Sequence, residues 1–175
     1  MEIAKDIKIY IVEDDPVQAE VLSDKLLGYN SDYNIVKFSN GRDLIQHYNA
    51  NYPNSKYIYL ILDYFLKSSK DTDSLDGIGV IKQLAEKYPK VRIILFSAYE
   101  SDGDSNFEKL VTEPNVLEFV KKSIHAFSHI QNILRYDYAQ TCLYRKKRRL
   151  TVMSSVFVGL VLLSLAYFLF NSFGK

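Results

Sequence analysis

The sequence predicts an α/β fold, a parallel sheet with helices on both faces, joined to one membrane-spanning helix. Short apolar runs rich in β-branched residues alternate with amphipathic segments between residues 7 and 135, and the third run is apolar at every position. Strict βα alternation gives parallel strands with right-handed crossovers, and a central parallel strand is buried on both faces. The third observation is the run Thr151–Phe170, which contains no charged side chain.

The first two βα units occupy residues 7–49. Ile7–Val12 predicts the first strand by its β-branched content, and Asp15-Pro16 has the N-cap and first-turn residues of a helix that continues to about Leu27. The second strand is predicted over Tyr33–Phe38 and the second helix over Gly41–Asn49.

The remaining units follow the same alternation. The predicted elements are a strand Tyr57–Leu62, a helix Gly77–Tyr88, a strand Val91–Phe96, a weak short helix Asn106–Val111, a strand Val116–Val120 and a final helix that opens at Ser123. Pro89 ends the third helix, because proline removes a backbone donor and clashes with the preceding turn. Neither Gly nor Pro occurs between Ser123 and Val158, so the final helix is expected to extend into the apolar run.

Charge is distributed unevenly along the chain. Residues 1–120 carry 13 Lys and Arg against 20 Asp and Glu, whereas residues 121–175 carry 9 against 1. An acidic domain argues against nucleic-acid binding. The five consecutive basic residues 145–149 directly precede the apolar run, and such clusters remain on the cytoplasmic side of a membrane.

These features predict four segments: a cytoplasmic domain over residues 5–135, a basic juxtamembrane helix over 136–150, a transmembrane helix over 151–170 and a short extracytoplasmic tail over 171–175. A run of about 20 apolar residues spans the hydrocarbon core as a helix, and the alternative is a buried helix or an oligomer core. The N-terminus shows no signal peptide. Cys142 is the only cysteine, which is consistent with a reducing compartment. The sequence does not decide whether Cys142 is acylated.

Polar residues capable of chemistry follow four of the predicted strands. Glu13, Asp14 and Asp15 follow the first strand, Asp63 the third, Ser97 the fourth and Lys122 the fifth. The carboxyl ends of parallel strands meet at one edge of the sheet, where ligands bind. Carboxylates about 5 Å apart repel by roughly 3 kcal/mol, which a hard cation such as Mg²⁺ relieves. Asp15 is interpreted as a helix cap, and a solvated loop edge is the alternative to a metal site.

The motifs IYIVEDDP, LILDYFL, ILFSA and FVKKS, in this order, resemble the receiver domain of two-component response regulators over roughly residues 5–135. The resemblance implies a doubly wound, flavodoxin-like βα sandwich. It also implies roles for individual residues. Asp63 would be the phosphoacceptor, and Glu13 and Asp14 the acidic pair that binds Mg²⁺ with Asp63 and the Phe65 backbone carbonyl. Ser97 and Phe119 would be switch residues, and Lys122, three positions after Phe119, the family's lysine.

The resemblance further implies a function. The chain is expected to be a membrane-anchored, single-domain response regulator that receives a phosphoryl group on Asp63 from a histidine kinase or phosphotransfer protein. It would signal through a changed binding surface to an unknown downstream protein or through phosphorylation-dependent dimerisation. It would not be an enzyme, although it would assist its own phosphorylation and dephosphorylation.

Two alternatives belong to other functional classes. Haloacid-dehalogenase-type phosphatases use a similar residue set, but they require a second acid two residues after the nucleophile, where Phe65 stands. A receiver-like scaffold that is never phosphorylated would not need the full set of Asp14, Asp63, Ser97 and Lys122. The chain departs from the receiver pattern at Ser123 and Lys67, which replace usual prolines, and in a longer loop before Asp76.

Overall fold

The computed structural model describes residues 7–50, 55, 57–64, 66, 77–98, 109 and 111–173. Its helices and strands are, in chain order, β1 (Ile7–Val12), α1 (Pro16–Tyr29), β2 (Asn34–Phe38), α2 (Gly41–Ala50), β3 (Tyr57–Leu62), α3 (Gly77–Lys87), β4 (Val91–Ser97), β5 (Val116–Lys121) and α4 (Ala126–Phe173). The chain divides into two compact units, Met1–Leu134 and Arg135–Lys175, each described separately below.

The first unit contains one five-stranded sheet with the order β2-β1-β3-β4-β5, in which every pairing is parallel. The chain reverses its direction of travel across the sheet between β1 and β3. The carboxyl ends of those two central strands therefore border the crevice in which doubly wound sheets bind their ligands. The predicted α/β class and its flavodoxin-like topology are confirmed.

Both faces of the sheet are covered. Tyr10 and Val12 of β1 pack in a cluster with buried side chains of α2 and α3, among them Leu44 and Leu84. Successive strand residues point to opposite faces, so Ile9 and Ile11 contribute to the other layer. Helix α1 and the first turns of α4 supply further buried side chains on the described part of the chain: Leu22, Leu26, Ile130 and Leu134.

The predicted strands agree with the observed ones to within one residue at each end. The final helix begins at Ala126, three residues later than the predicted start at Ser123. The reason is local: Ala126 N donates to Ser123 O at 3.1 Å, which closes a turn between β5 and the helix. Most of the short helix predicted over Asn106–Val111, the loop 67–76 and Phe65 lie outside the described residues.

The second unit consists of the continuation of α4 from Arg135 onwards. The described apolar side chains of its distal half are exposed around the helix, including Met153, Phe157, Leu163 and Tyr167. By length and composition this helix is apolar enough to cross a membrane. The prediction of an extended, apolar last helix is confirmed.

Candidate functional site

Three carboxylates meet at the carboxyl ends of β1 and β3. Glu13, Asp14 and Asp63 each offer an oxygen, and these oxygens all lie within 4.8 Å of one another. Glu13 and Asp63 are buried, whereas Asp14 is partly exposed. The parallel pairing of β1 with β3 produces this convergence, because Val12 and Leu62 are partners in the register and the acids follow them directly.

Lys122 offsets part of the negative charge of this cluster from the end of β5. Its Nζ donates to Glu13 Oε2 at 2.6 Å and to Asp63 Oδ2 at 2.8 Å. The same ammonium lies 5.3 Å from the centre of the Phe96 ring, a cation–π geometry that holds it from the apolar side. The neighbouring Lys121 is exposed. Of the two lysines at this strand end, Lys122 is therefore the one that enters the site.

Burial and charge act against each other on the ionisable groups here. Burial raises the pKa of Glu13 above its ordinary value, as does the nearby charge of Asp63, and the hydrogen bond from Lys122 only partly offsets these effects. For Lys122, burial by itself lowers the pKa, but the hydrogen bonds and charges of Asp63 and Glu13 outweigh it and raise the pKa overall. The ammonium therefore stays charged over the whole neutral range.

Ser97 ends β4 and is 1% exposed. Its Oγ has no hydrogen-bond partner among the described residues. A buried hydroxyl without a hydrogen-bond partner costs free energy. Phe119, on β5 at the register position opposite Leu95, is partly buried against the core cluster. The predicted Phe65 carbonyl ligand lies outside the described residues.

Asp15 caps helix α1, as the sequence predicts. Its Oδ1 accepts hydrogen bonds from Val17 N at 2.8 Å and from Gln18 N at 3.3 Å. Gln18 then extends the site, because its Oε1 accepts from Lys122 Nζ at 2.9 Å. The sequence interpretation overlooked Gln18 and Phe96. The signal available for Gln18 was its place three residues after the predicted N-cap, which indicates a side chain near the start of α1 but not a contact with Lys122.

The residues present fit a hard divalent cation. Carboxylate oxygens are the ligands that Mg²⁺ prefers, and Glu13, Asp14 and Asp63 bring them within reach of a single ion. Asp14 is the most exposed of the three. When bound, such an ion neutralises charge on the oxygens of a phosphoryl group.

Comparison with known proteins agrees with this geometry. The profile of the response regulator receiver domain family matches residues 9–135, which is more than half of the chain. The chain therefore belongs to the response regulator receiver domain family. No curated protein matches it significantly.

Solved structures give the same fold. A response regulator protein TrrA from Thermotoga maritima, in complex with Mg²⁺-BeF, matches with 22% identity and a TM-score of 0.57, over 74% of this chain and 96% of that chain. The isolated receiver domain of RcsB from Salmonella enterica serovar Typhimurium, in the presence of phosphomimetic BeF₃⁻, matches with 19% identity and a TM-score of 0.57, over 74% and 88%. At such identities the likeness establishes the fold alone.

A further neighbour is the signal receiver domain of an HD domain-containing protein from Pseudomonas fluorescens, with 15% identity and a TM-score of 0.60 over 76% of this chain and 94% of that one. Receiver domains are non-enzymatic phosphoacceptors of two-component signalling, and they bind Mg²⁺ in an acidic pocket. Membership of the family thus assigns this chain to phosphoryl acceptance in two-component signalling.

Proposed function

We propose that this chain is a membrane-anchored response regulator that accepts a phosphoryl group on Asp63 from a histidine kinase or phosphotransfer protein. The observation that carries the proposal is the convergence of Asp63 with Glu13, Asp14 and Lys122 at one edge of the sheet. A lone buried carboxylate would be costly, whereas this one has an ammonium beside it and two further acids for a cation.

Asp63 is the nucleophile of the proposed transfer. One of its carboxylate oxygens forms a bond to phosphorus while the bond from phosphorus to the donor imidazole nitrogen breaks, and the electron pair returns to the imidazole. Lys122 lies 2.8 Å from Asp63 Oδ2, where its charge stabilises the oxygens of the transferring group. Glu13, Asp14 and Asp63 would hold Mg²⁺, with the Phe65 carbonyl as a further ligand.

Ser97 is the proposed sensor of the phosphorylated state. Its Oγ, buried and unpartnered among the described residues, would donate to a phosphoryl oxygen once Asp63 is modified. That bond would draw the end of β4 towards the phosphoryl group on Asp63, at the end of β3, and Phe119 on β5 would repack with this movement. The surface formed by these strands would then bind a downstream protein or a second copy of the chain.

The donor protein would approach over an exposed apolar rim. Val17 on α1 is 68% exposed and Ile124, two residues after Lys122, is 90% exposed. Large apolar side chains in water beside a charged site are typical of a docking surface, because their burial adds affinity around the reacting groups. The partner would therefore cover the site and exclude water during transfer.

Residues 151–170 would anchor the protein in a membrane as a single span. Supporting this proposal, the described apolar side chains of this stretch are exposed, and the helix is long and apolar enough to span a bilayer. The basic residues 145–149 would orient the receiver towards the cytoplasm. The proposed segments are the receiver domain over 5–135, the basic juxtamembrane helix over 136–150, the transmembrane helix over 151–170 and the extracytoplasmic tail over 171–175.

The experiment that tests the phosphoacceptor uses intact-mass spectrometry of the full-length chain in detergent micelles. Incubation with acetyl phosphate and Mg²⁺ should add one phosphoryl group to the wild type and none to Asp63→Asn. Asp24→Asn, an exposed aspartate on α1, is the matched control and should be labelled like the wild type. Label retained by Asp63→Asn would assign the acceptor elsewhere, and an unlabelled wild type would favour the scaffold alternative.

A further inference from the structure

One neutral side chain at the rim of the site has no part in the proposed transfer. Gln18, in the first turn of α1, accepts a hydrogen bond from Lys122 Nζ through its Oε1 at 2.9 Å. The same ammonium donates to Glu13 and Asp63. A lysine ammonium has three N–H groups, so these three acceptors satisfy all of them.

Asp15 determines which way the Gln18 amide points. Its Oδ2 accepts from Gln18 Nε2 at 3.1 Å, while its Oδ1 caps the helix. A carboxylate can only accept and an ammonium can only donate. One amide orientation satisfies both neighbours, with Nε2 towards Asp15 and Oε1 towards Lys122. The row Asp15–Gln18–Lys122 therefore has a defined hydrogen-bond direction.

We propose that Gln18, oriented by Asp15, is a positioning residue that holds the Lys122 ammonium in place for phosphoryl transfer; this inference rests on the proposed function. A lysine has a flexible four-carbon stem, so its charge is useful to a transition state only when other groups fix it. Asp63 changes chemically during transfer, and Glu13 belongs to the proposed cation site. Of the three acceptors, Gln18 is the one that neither reacts during transfer nor belongs to the proposed cation site.

The first test replaces Gln18 with Met, which preserves length and helix propensity but removes the acceptor. In full-length chain with acetyl phosphate and Mg²⁺, the rate of Asp63 labelling should fall about threefold to tenfold, the usual effect of losing one hydrogen bond to a charged group that water partly replaces. Gln46→Met, at an exposed glutamine of α2, is the matched control and should label at the wild-type rate.

A second measurement needs neither cation nor phosphodonor. In protein labelled with ¹⁵N-lysine, the Lys122 ammonium should give a signal whose hydrogens exchange slowly with water, because all three are bonded. Gln18→Met should make that exchange faster, whereas Gln46→Met should not. A purely structural role of Gln18 in starting α1 would lower the unfolding midpoint without this specific change at Lys122.

A third test exchanges the carboxylate of residue 15 and the amide of residue 18. Asp15→Asn keeps a capping oxygen but turns a donor towards Gln18, which reverses the Gln18 amide and removes the acceptor from Lys122. This variant should slow labelling as Gln18→Met does. The double variant Asp15→Asn with Gln18→Glu restores an acceptor at Lys122 with the same total charge, so its labelling rate should recover to within about twofold of the wild type.

The outcomes separate the two proposals. Absence of label in the wild type would refute the proposed function and this inference with it. Normal labelling of the wild type, with equal rates and equal ammonium exchange in Gln18→Met, would refute the inference alone. It would also be overturned if both single variants were slow and the double variant remained equally slow, since that result indicates damage to the start of α1 rather than loss of the bond to Lys122.

Discussion

Replacing Lys122 with Met should destabilise the receiver, and the contacts of the ammonium determine by how much. Glu13 is 4% exposed and Asp63 is 7% exposed, and their oxygens lie within 4.8 Å of each other. Two such carboxylates repel by about 3 kcal/mol at an effective dielectric constant of 20. Removing the positively charged partner of a buried ion pair costs about 3–5 kcal/mol, and this cost is smaller here because Lys122 is partly exposed to water. We expect a loss of about 2–4 kcal/mol in the free energy of unfolding at pH 7.

The loss should depend on pH in a defined direction. The pKa of Lys122 is raised above 10.5 by Asp63 and Glu13 despite its burial, so its stabilisation is complete below pH 10.5 and disappears as pH rises through the folded-state pKa. The pKa of Glu13 is raised above 4.5, chiefly by burial, and loss of Lys122 would raise it further. Protonation on acidification then removes the repulsion. The difference between wild type and variant should therefore shrink on acidification, and on the alkaline side only above pH 10.5.

The assay is urea unfolding of the full-length chain in micelles, followed by tyrosine fluorescence because the sequence has 14 Tyr and no Trp. Lys121→Met, at the exposed neighbouring lysine, is the matched control and should change the free energy of unfolding by less than about 0.5 kcal/mol. Added Mg²⁺ should stabilise Lys122→Met more than the wild type. Equal unfolding free energies for the two variants, or a difference that stays constant from pH 7 to pH 4, would refute the reasoning.

Three other changes have expected outcomes. Ser97→Ala should leave labelling of Asp63 intact by mass spectrometry and abolish phosphorylation-dependent binding or dimerisation in sedimentation; unchanged association would remove Ser97 from the switch. Tyr10→Phe should raise the free energy of unfolding by about 1 kcal/mol in urea titration, since the Tyr10 hydroxyl is buried without a hydrogen-bond partner among the described residues; a loss of stability would reveal a partner. Alkaline carbonate should leave the full-length protein in the membrane pellet, while a chain ending at Tyr144 should be soluble. The basic run contributes only about 1 kcal/mol per residue at an anionic surface, so it could not by itself resist this treatment. Release of the full-length chain would contradict the anchor.

Much of the fold could be read from local pattern. The β-branched run Ile7–Val12, the fully apolar run Tyr57–Leu62 and the proline after Asp15 each act within a few residues, so they specify their elements without reference to the rest of the chain. Strict alternation of strands and helices then leaves a parallel sheet as the arrangement that buries all the apolar faces. The start of α4 was placed three residues too early because a turn and a first helical turn have similar local signals.

For the site as well, the sequence determined which residues end each strand, and the tertiary structure decided how those residues contact one another. The sequence by itself determined that acids follow β1 and β3, that a serine ends β4 and that lysines end β5, because each strand ends where its apolar run ends. It could not decide which acids Lys122 bonds, that Phe96 lies beneath its ammonium, or that the Ser97 hydroxyl is buried without a partner among the described residues. Those facts depend on distances between segments far apart in the chain, by 59 residues for Lys122 with Asp63 and by 109 for Lys122 with Glu13. Only the packed sheet sets such distances, since local preference acts over a few residues whereas contact across the sheet is made by tertiary packing.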